Sequence, residues 1–305
     1  MSSTSPSLRG VFPVFQTPYL ADETIDYATL GHEIDWLFEQ GSHGVVMAMV
    51  SEVLRLSDAE RMAMAQFVCE TVRKSGGTRA VIISVGAEST RQAEAFARQA
   101  ESVGAAAVMA IPPVSIAISE DELQRYYERI LQAITIPVIV QDASGYVGRP
   151  MSIGLQARLF NAFGDRVMFK PEATPIGPRL SALRDATGGK AAVFEGTGGI
   201  ALVDSHRRGI TGTMPGADLI DAIVALWRAL EAGDDARAYR ISLPLSSLIA
   251  MQNSLDAFLA VEKHLLCRRG IFKNTLVRGP VGYTLDEETR REVDRLFDVL
   301  MAALG

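Results

Sequence analysis

Through the first two thirds of the chain, apolar residues come in short, mostly unbroken runs separated by longer stretches with helical periodicity. The runs are "VFPVF" from Val11, "GVVMAMV" from Gly44, "AVIISVG" from Ala80, "AAAVMAI" from Ala105, "IPVIVQD" from Ile136, "RVMFK" from Arg166, "AAVFEG" from Ala191 and "GITGT" from Gly209. Continuous rather than alternating runs are what a parallel sheet covered on both faces requires. Two intervening segments open with an S-x-x-E signal, "SDAE" at Ser57–Glu60 and "SEDE" from Ser119. There the serine side chain caps a free amide and the glutamate reaches back to the serine's own amide. A third helix, from about Thr90, closes on Gly104.

Eight alternations of strand and helix predict a (β/α)8 TIM barrel. The competing topology is a doubly wound sheet, which needs a Gly-rich loop after its first strand to hold a dinucleotide; "FQTPYL" supplies none. From about Asp218 the pattern is helix alone, so a C-terminal helical extension follows. The expected division is a barrel over residues 1–220 and a helical domain over 221–305. The length of 305 residues suits a barrel of ~250 residues with an added piece.

Composition narrows the partners. The net charge is −6 with both signs mixed along the chain, so a nucleic-acid partner has no electrostatic footprint. Cys69 and Cys267 lie in helical patterns without CxxC spacing, which argues against a disulfide framework or zinc site and fits a reducing cytoplasm. The N-terminal "MSSTSPSLRG" lacks the layout of a signal peptide, and no run of 18 apolar residues follows, so no membrane association is expected. His32, His43, His206 and His264 show no metal-ligand spacing, and neither metal nor cofactor is expected. "GTGG" at Gly196–Gly199 resembles a phosphate cradle but lacks a P-loop lysine and serves equally well as a strand-to-helix turn.

Candidate chemistry centres on one of five lysines. Barrel enzymes place reacting groups at the C-terminal ends of strands. Lys170 closes the strand "VMFK", whereas Lys190 precedes a strand and Lys74, Lys263 and Lys273 fall in helical or connecting patterns. Loss of hydration at an apolar edge disfavours an ammonium, leaving free amine to attack a carbonyl and form a Schiff base. Pro171 biases Lys170 toward extended backbone, so Glu172, two residues on, points the same way. The plainer readings are a strand-end lysine that snorkels or pairs with a carboxylate, and a solvated loop glutamate.

Taken together, "GVFPVFQTPY", "AMVSE", "IPVIVQD" and "VMFK" resemble the dihydrodipicolinate synthase and N-acetylneuraminate lyase superfamily of class I aldolases over nearly the whole chain. The resemblance implies an iminium between Lys170 and a small-molecule 2-keto acid, in a homotetramer built as a dimer of dimers. Departures accompany it. Met49 and Val50, followed by Ser51 and Glu52, stand where the family loop offers two hydroxyl residues; Gln141 replaces a proton-shuttling tyrosine; a second tyrosine falls at about Val114; Tyr146 stands where synthases place an arginine.

An amide does not titrate, so Gln141 cannot serve as the base that retro-aldol cleavage needs. The iminium still acidifies C3, and loss of a C3 proton with the C4 hydroxyl amounts to dehydration. The K-x-E plus glutamine combination, and the segment "RRGITGTMPGADL", are similar to the L-2-keto-3-deoxyarabonate dehydratases of arabinose degradation, which form 2,5-dioxopentanoate. That similarity implies acid–base work by Glu172, directly or through a water held by Gln141. It also implies a carboxylate seat at Val50 and Ser51, using backbone amides and the serine hydroxyl. Gly196 and Thr211 would line the channel, with Thr211 and Thr213 facing the site from the final strand. For Gly196, plain turn formation weighs equally. An aldolase, a deaminase acting on a cyclic imino acid, and a non-catalytic keto-acid-binding barrel are the alternatives.

Overall fold

The computed structural model describes residues 8–76 and 79–305. Among the described residues, eight strands appear, one in each of the apolar runs: β1 (Gly10–Val11), β2 (Gly44–Met47), β3 (Ala80–Ser84), β4 (Ala107–Ala110), β5 (Val138–Asp142), β6 (Val167–Pro171), β7 (Phe194–Glu195) and β8 (Gly212–Thr213). Between them lie α1 (Tyr27–Glu39), α2 (Asp58–Lys74), α3 (Thr90–Val103), α4 (Glu120–Ala133), α5 (Ile153–Phe163), α6 (Ile176–Ala186) and α7 (Leu202–Arg207). After β8 come α8 (Ile220–Glu231), α9 (Asp235–Ile249), α10 (Leu255–Arg268) and α11 (Glu287–Leu304). This is the order of a (β/α)8 barrel chain with a C-terminal helical extension.

The chain divides into two compact units that interleave in sequence. One contains Ser57–Gly196 and Asp204–Gly212, with β3 to β7. The other contains Gly10–Leu56, Thr197–Val203 and Thr213–Gly305, with β1, β2 and the last four helices.

In the first unit β3, β4, β5 and β6 form a parallel sheet in sequence order. The register between β5 and β6 runs from Val138 opposite Val167 to Gln141 opposite Lys170 and Asp142 opposite Pro171. A bridge between Phe169 and Val193 continues the sheet toward β7. The strands are buried on both faces, as their unbroken apolar composition requires. Helix α4 shows the complementary pattern: Leu123, Tyr126, Tyr127, Ile130 and Leu131, spaced by three and four, form its buried face. Each large apolar side chain so buried contributes about 1.5–3 kcal/mol.

Local signals explain the helix ends. Ser57 and Glu60 form the reciprocal box, the Ser57 side chain accepting from the Glu60 amide and the Glu60 carboxylate accepting from the Ser57 amide. The second S-x-x-E segment keeps half of that arrangement: Ser119 accepts from the Glu122 amide at 3.3 Å, while the exposed Glu122 carboxylate turns outward to Arg125. Helix α3 ends on Gly104 at φ 98°, a left-handed position that suits glycine.

In the second unit β1 is cut short by Pro13, which has no amide to donate. Pairing resumes at Val14, which bridges Val46 and Gly216. No helix among the described residues is long and apolar enough to cross a membrane.

Candidate active site

Lys170, Glu172 and Gln141 meet at the carboxyl ends of β5 and β6. Parallel register sets Gln141 beside Lys170, and the extended chain through Pro171 turns Glu172 to the same side. Lys170 Nζ lies 3.3 Å from Glu172 Oε1, and Gln141 Nε2 donates to Glu172 Oε2 at 2.7 Å. One carboxylate thus receives an ammonium on one oxygen and an amide on the other. Lys170 and Glu172 are each 4% exposed, so Glu172 is not a solvated loop residue and Lys170 does not snorkel into solvent, while it does pair with a carboxylate.

Burial is the foremost influence on Glu172 and raises its carboxyl above the ordinary value. Lys170 and the hydrogen bond from Gln141 act in the opposite direction, and Glu195 at the end of β7 adds to the rise. The outcome is a carboxyl group more basic than an exposed glutamate, next to a primary amine. Such a pair can attack a carbonyl and move a proton at a neighbouring carbon.

Gly196 has a steric role as well as a turn role. A Cβ there would fall 2.6 Å from Lys170 Cε and 2.8 Å from Glu172 Cγ, so the lysine and glutamate occupy space that any other residue would take. Gly145 is similar, since its Cβ would lie 2.9 Å from the Glu172 carbonyl oxygen.

Sequence reasoning passed over Asp142. This 1%-exposed carboxylate accepts from the amides of Ser144 (3.2 Å) and Met151 (3.0 Å) and from the Ser144 hydroxyl (2.6 Å), and pairs with Arg179 at 3.5 Å. Its carbonyl receives the Glu172 amide at 2.9 Å. Asp142 therefore fixes both the loop after β5 and the backbone of Glu172. Its signal in the sequence is an acid ending the apolar run "IPVIVQD", directly after Gln141.

The remaining candidates are distributed differently. Thr211 belongs to the same unit as Lys170, but it precedes β8 rather than lying on it; its amide donates to Val193 O at 2.7 Å. Thr213 is on β8, fully buried, and belongs to the second unit. Val114 is held by its backbone, its amide donating to Glu88 at 2.9 Å.

Val50 and Ser51 also belong to the second unit, in a single 3-10 turn, Met49–Ser51. Ser51 is buried and its hydroxyl is engaged locally, donating to Phe15 O at 2.6 Å and accepting from the Ala48 amide at 3.1 Å. Its proton points to the Phe15 carbonyl in this structure. The opening amides of such a turn, at Met49 and Val50, are the groups that a helix start leaves without an internal partner.

An amine and a carboxylate brought together at parallel strand ends suit a lyase or aldolase type of centre. The Dihydrodipicolinate synthetase family model matches residues 7–299, and the chain belongs to that family, whose members are class I lyases and aldolases. L-2-keto-3-deoxyarabonate dehydratase of Azospirillum brasilense is 31% identical over 301 residues, covering 96% of this chain and 94% of that protein. A 4-hydroxy-tetrahydrodipicolinate synthase of Methylobacterium radiotolerans is 29% identical, covering 95% of each. Among solved structures, dihydrodipicolinate synthase from Rhodopseudomonas palustris superposes with a TM-score of 0.88 at 26% identity, covering 97% of this chain and 99% of that one.

Proposed function

We propose that the protein is a Schiff-base dehydratase that converts a 2-keto-3-deoxy sugar acid, L-2-keto-3-deoxyarabonate, to 2,5-dioxopentanoate. The observation that carries this reading is the buried set of Lys170, Glu172 and Gln141, with Glu172 bonded to both partners and no titrating side chain at position 141. The 31% identical dehydratase supports the choice of substrate.

The Lys170 amine adds to the C2 carbonyl, and loss of water leaves an iminium. Glu172, as carboxylate, takes a proton from C3. The resulting enamine expels the C4 hydroxyl, which leaves as water with the proton returned by Glu172. A C5 proton is then lost and C3 reprotonated, which leaves an enol across C4 and C5; protonation of C4 with loss of the C5 hydroxyl proton gives the aldehyde, and hydrolysis frees Lys170. One water is lost overall. Gln141 holds Glu172, or a water between Glu172 and the C4 hydroxyl, without exchanging protons itself. The substrate carboxylate is assigned to the backbone of the Val50–Ser51 turn, and Gly196, Thr211 and Thr213 to the substrate channel. A soluble homotetramer in the cytoplasm, with residues 1–220 carrying the chemistry and 221–305 forming a helical domain, completes the reading.

A proton NMR time course with 2-keto-3-deoxy-L-arabonate tests it. Appearance of 2,5-dioxopentanoate is the expected result. Pyruvate with glycolaldehyde means aldol cleavage, and ammonia release from a cyclic imino acid means deamination; either replaces the dehydratase reading. If pyruvate and borohydride add no mass at Lys170, the barrel binds without catalysing.

A further inference from the structure

The Met49–Ser51 turn is braced on two sides, and both braces lead to consecutive residues of one buried helix face. On one side, Ser51 Oγ donates to Phe15 O and Thr17 Oγ1 donates to Ser51 O, each at 2.6 Å. Between those two residues sits Gln16. Its amide donates to Glu33 Oε1 at 2.9 Å, and its side-chain Nε2 donates to Glu262 Oε2. On the other side, Glu52 holds a left-handed backbone at φ 58° and receives Lys263 Nζ at 2.5 Å. Glu262 and Lys263 are neighbours on α10, 1% and 0% exposed.

Lys263 with Glu52 is a charge pair of ordinary logic. Glu262 is harder to account for as a packing residue. Carboxyl groups are costly to bury, and a hydrophobic residue of similar volume in such a place is often neutral or stabilising. The chain has nonetheless made room for it: a Cβ at Gly216 would overlap Glu262 Oε1 and lie 3.1 Å from Asp218 Oδ1. The charged and titratable groups acting on this carboxyl are Asp218, Glu33 from α1, and Lys263; Arg269 and Asp221 act on Asp218 in turn. Burial foremost, with Asp218 and Glu33 close by, raises the Glu262 carboxyl well above its ordinary value, toward the protonated form. Its Oε2 accepts from Gln16.

We propose that Glu262 is a positioning residue for the turn that seats the substrate carboxylate, acting through Gln16 and the Phe15–Thr17 backbone. The inference rests on the reading of Val50 and Ser51 as that seat. It differs from a stabilising role in what it predicts: loosening the Gln16 anchor weakens recognition of the carboxylate selectively, leaving the reactivity of Lys170 toward a carbonyl intact.

The test is borohydride trapping at Lys170, read by mass, as a function of ketone concentration, with pyruvate and with hydroxyacetone, which lacks the carboxylate. Glu262→Leu removes the acceptor. It is expected to raise the half-saturating pyruvate concentration on the order of tenfold or more, as displaced binding groups do, and to leave hydroxyacetone trapping unchanged. Glu262→Gln, which accepts and donates as the protonated acid does, is expected to retain wild-type half-saturation for both ketones. Gln16→Leu cuts the same bond from its other end and carries the test should Glu262→Leu not fold. An unchanged pyruvate response in these leucine variants overturns the inference alone, as does a parallel loss for both ketones. Absence of any adduct in the wild-type protein overturns the Schiff-base reading and this inference with it.

Discussion

Among the described residues the molecule contains two buried lysine–glutamate pairs, and their difference bears on which lysine is free to react and which holds structure. Lys263 Nζ lies 2.5 Å from Glu52 Oε1, donates to Leu276 O at 2.7 Å and sits 4.7 Å from the centre of the Tyr19 ring. The second oxygen of Glu52 receives the Arg278 amide at 3.3 Å. That ammonium is surrounded, and although burial lowers its pKa, Glu52 holds the charge in place. Lys170 has a looser arrangement, 3.3 Å from Glu172, its one ion-pair partner among the described residues. Here it is the carboxyl of the partner that burial has made more basic. Burial is common to both pairs, so burial alone does not distinguish them. What sets Lys170, the proposed nucleophile, apart is spare donor capacity beside a basic carboxylate.

Exchanging the two lysines for alanine should separate the roles most sharply. Lys170→Ala is expected to abolish both turnover and borohydride-dependent mass addition, with the protein still folded. Lys263→Ala leaves Glu52 buried without its cation, a change that costs about 3–5 kcal/mol. Thermal unfolding should register that loss, and any activity that survives should still trap at Lys170. Equal loss of stability in both variants, with trapping retained in Lys170→Ala, would remove the distinction.

Glu172→Gln sharpens the comparison within the first pair. The amide keeps the hydrogen-bonding shape but cannot take a proton, so turnover should fall by about 10²–10⁴-fold, the usual contribution of acid–base assistance. Trapping of pyruvate should persist, because the amine remains. The pH profile gives the sign. In the proposed mechanism Glu172 acts as carboxylate, and its raised pKa means that this form is lost on acidification earlier than in an exposed glutamate, whose ordinary value is about 4.3. The acidic limb of kcat/KM should therefore lie above the ordinary carboxylate range. A limb at the ordinary value would indicate that another group is the base.

The sequence was informative where backbone periodicity and chain neighbours decide the outcome. Each of the eight strands overlaps one of the apolar runs, and the extended Lys170-Pro171-Glu172 segment was readable because side chains two apart in a strand share a side. It was less informative where contacts join distant segments. Lys263 looked like an ordinary helical lysine, yet its partner Glu52 is 211 positions away. Asp142 and Glu195 went unnoticed because their roles depend on the Met151 amide and on a neighbouring strand. Ser51 was recognised as belonging to the loop, but its hydroxyl could not be known to close on Phe15 until the two segments were seen together.

Gly196→Ala tests whether the looseness of the Lys170 pair is set by space. The added methyl would press on Lys170 Cε at 2.6 Å, and overpacking of this kind costs about 1–3 kcal/mol. Because the lysine end is more mobile than the backbone, displacement of the amine is the expected response. The trapping rate should fall more than the melting temperature, and by less than in Glu172→Gln turnover. Wild-type trapping would return Gly196 to the role of a simple turn residue.

The smallest expected effect concerns the second region, whose acids store protons rather than transfer them. Burial pushes Asp218 up to about 7 from an ordinary 3.8, with Arg269 opposing the rise. The folded protein thus keeps a proton that the unfolded chain releases. By linkage its stabilising contribution is full below the unfolded value, declines as pH rises from 3.8 toward 7, and levels off above. Asp218→Asn cannot lose that proton. Between about pH 5 and about pH 8, its melting temperature should fall less than that of the wild-type protein. Parallel melting curves for the two proteins would mean that Asp218 is ionised in the fold, and that the region around Lys263 is held by charge rather than by retained protons.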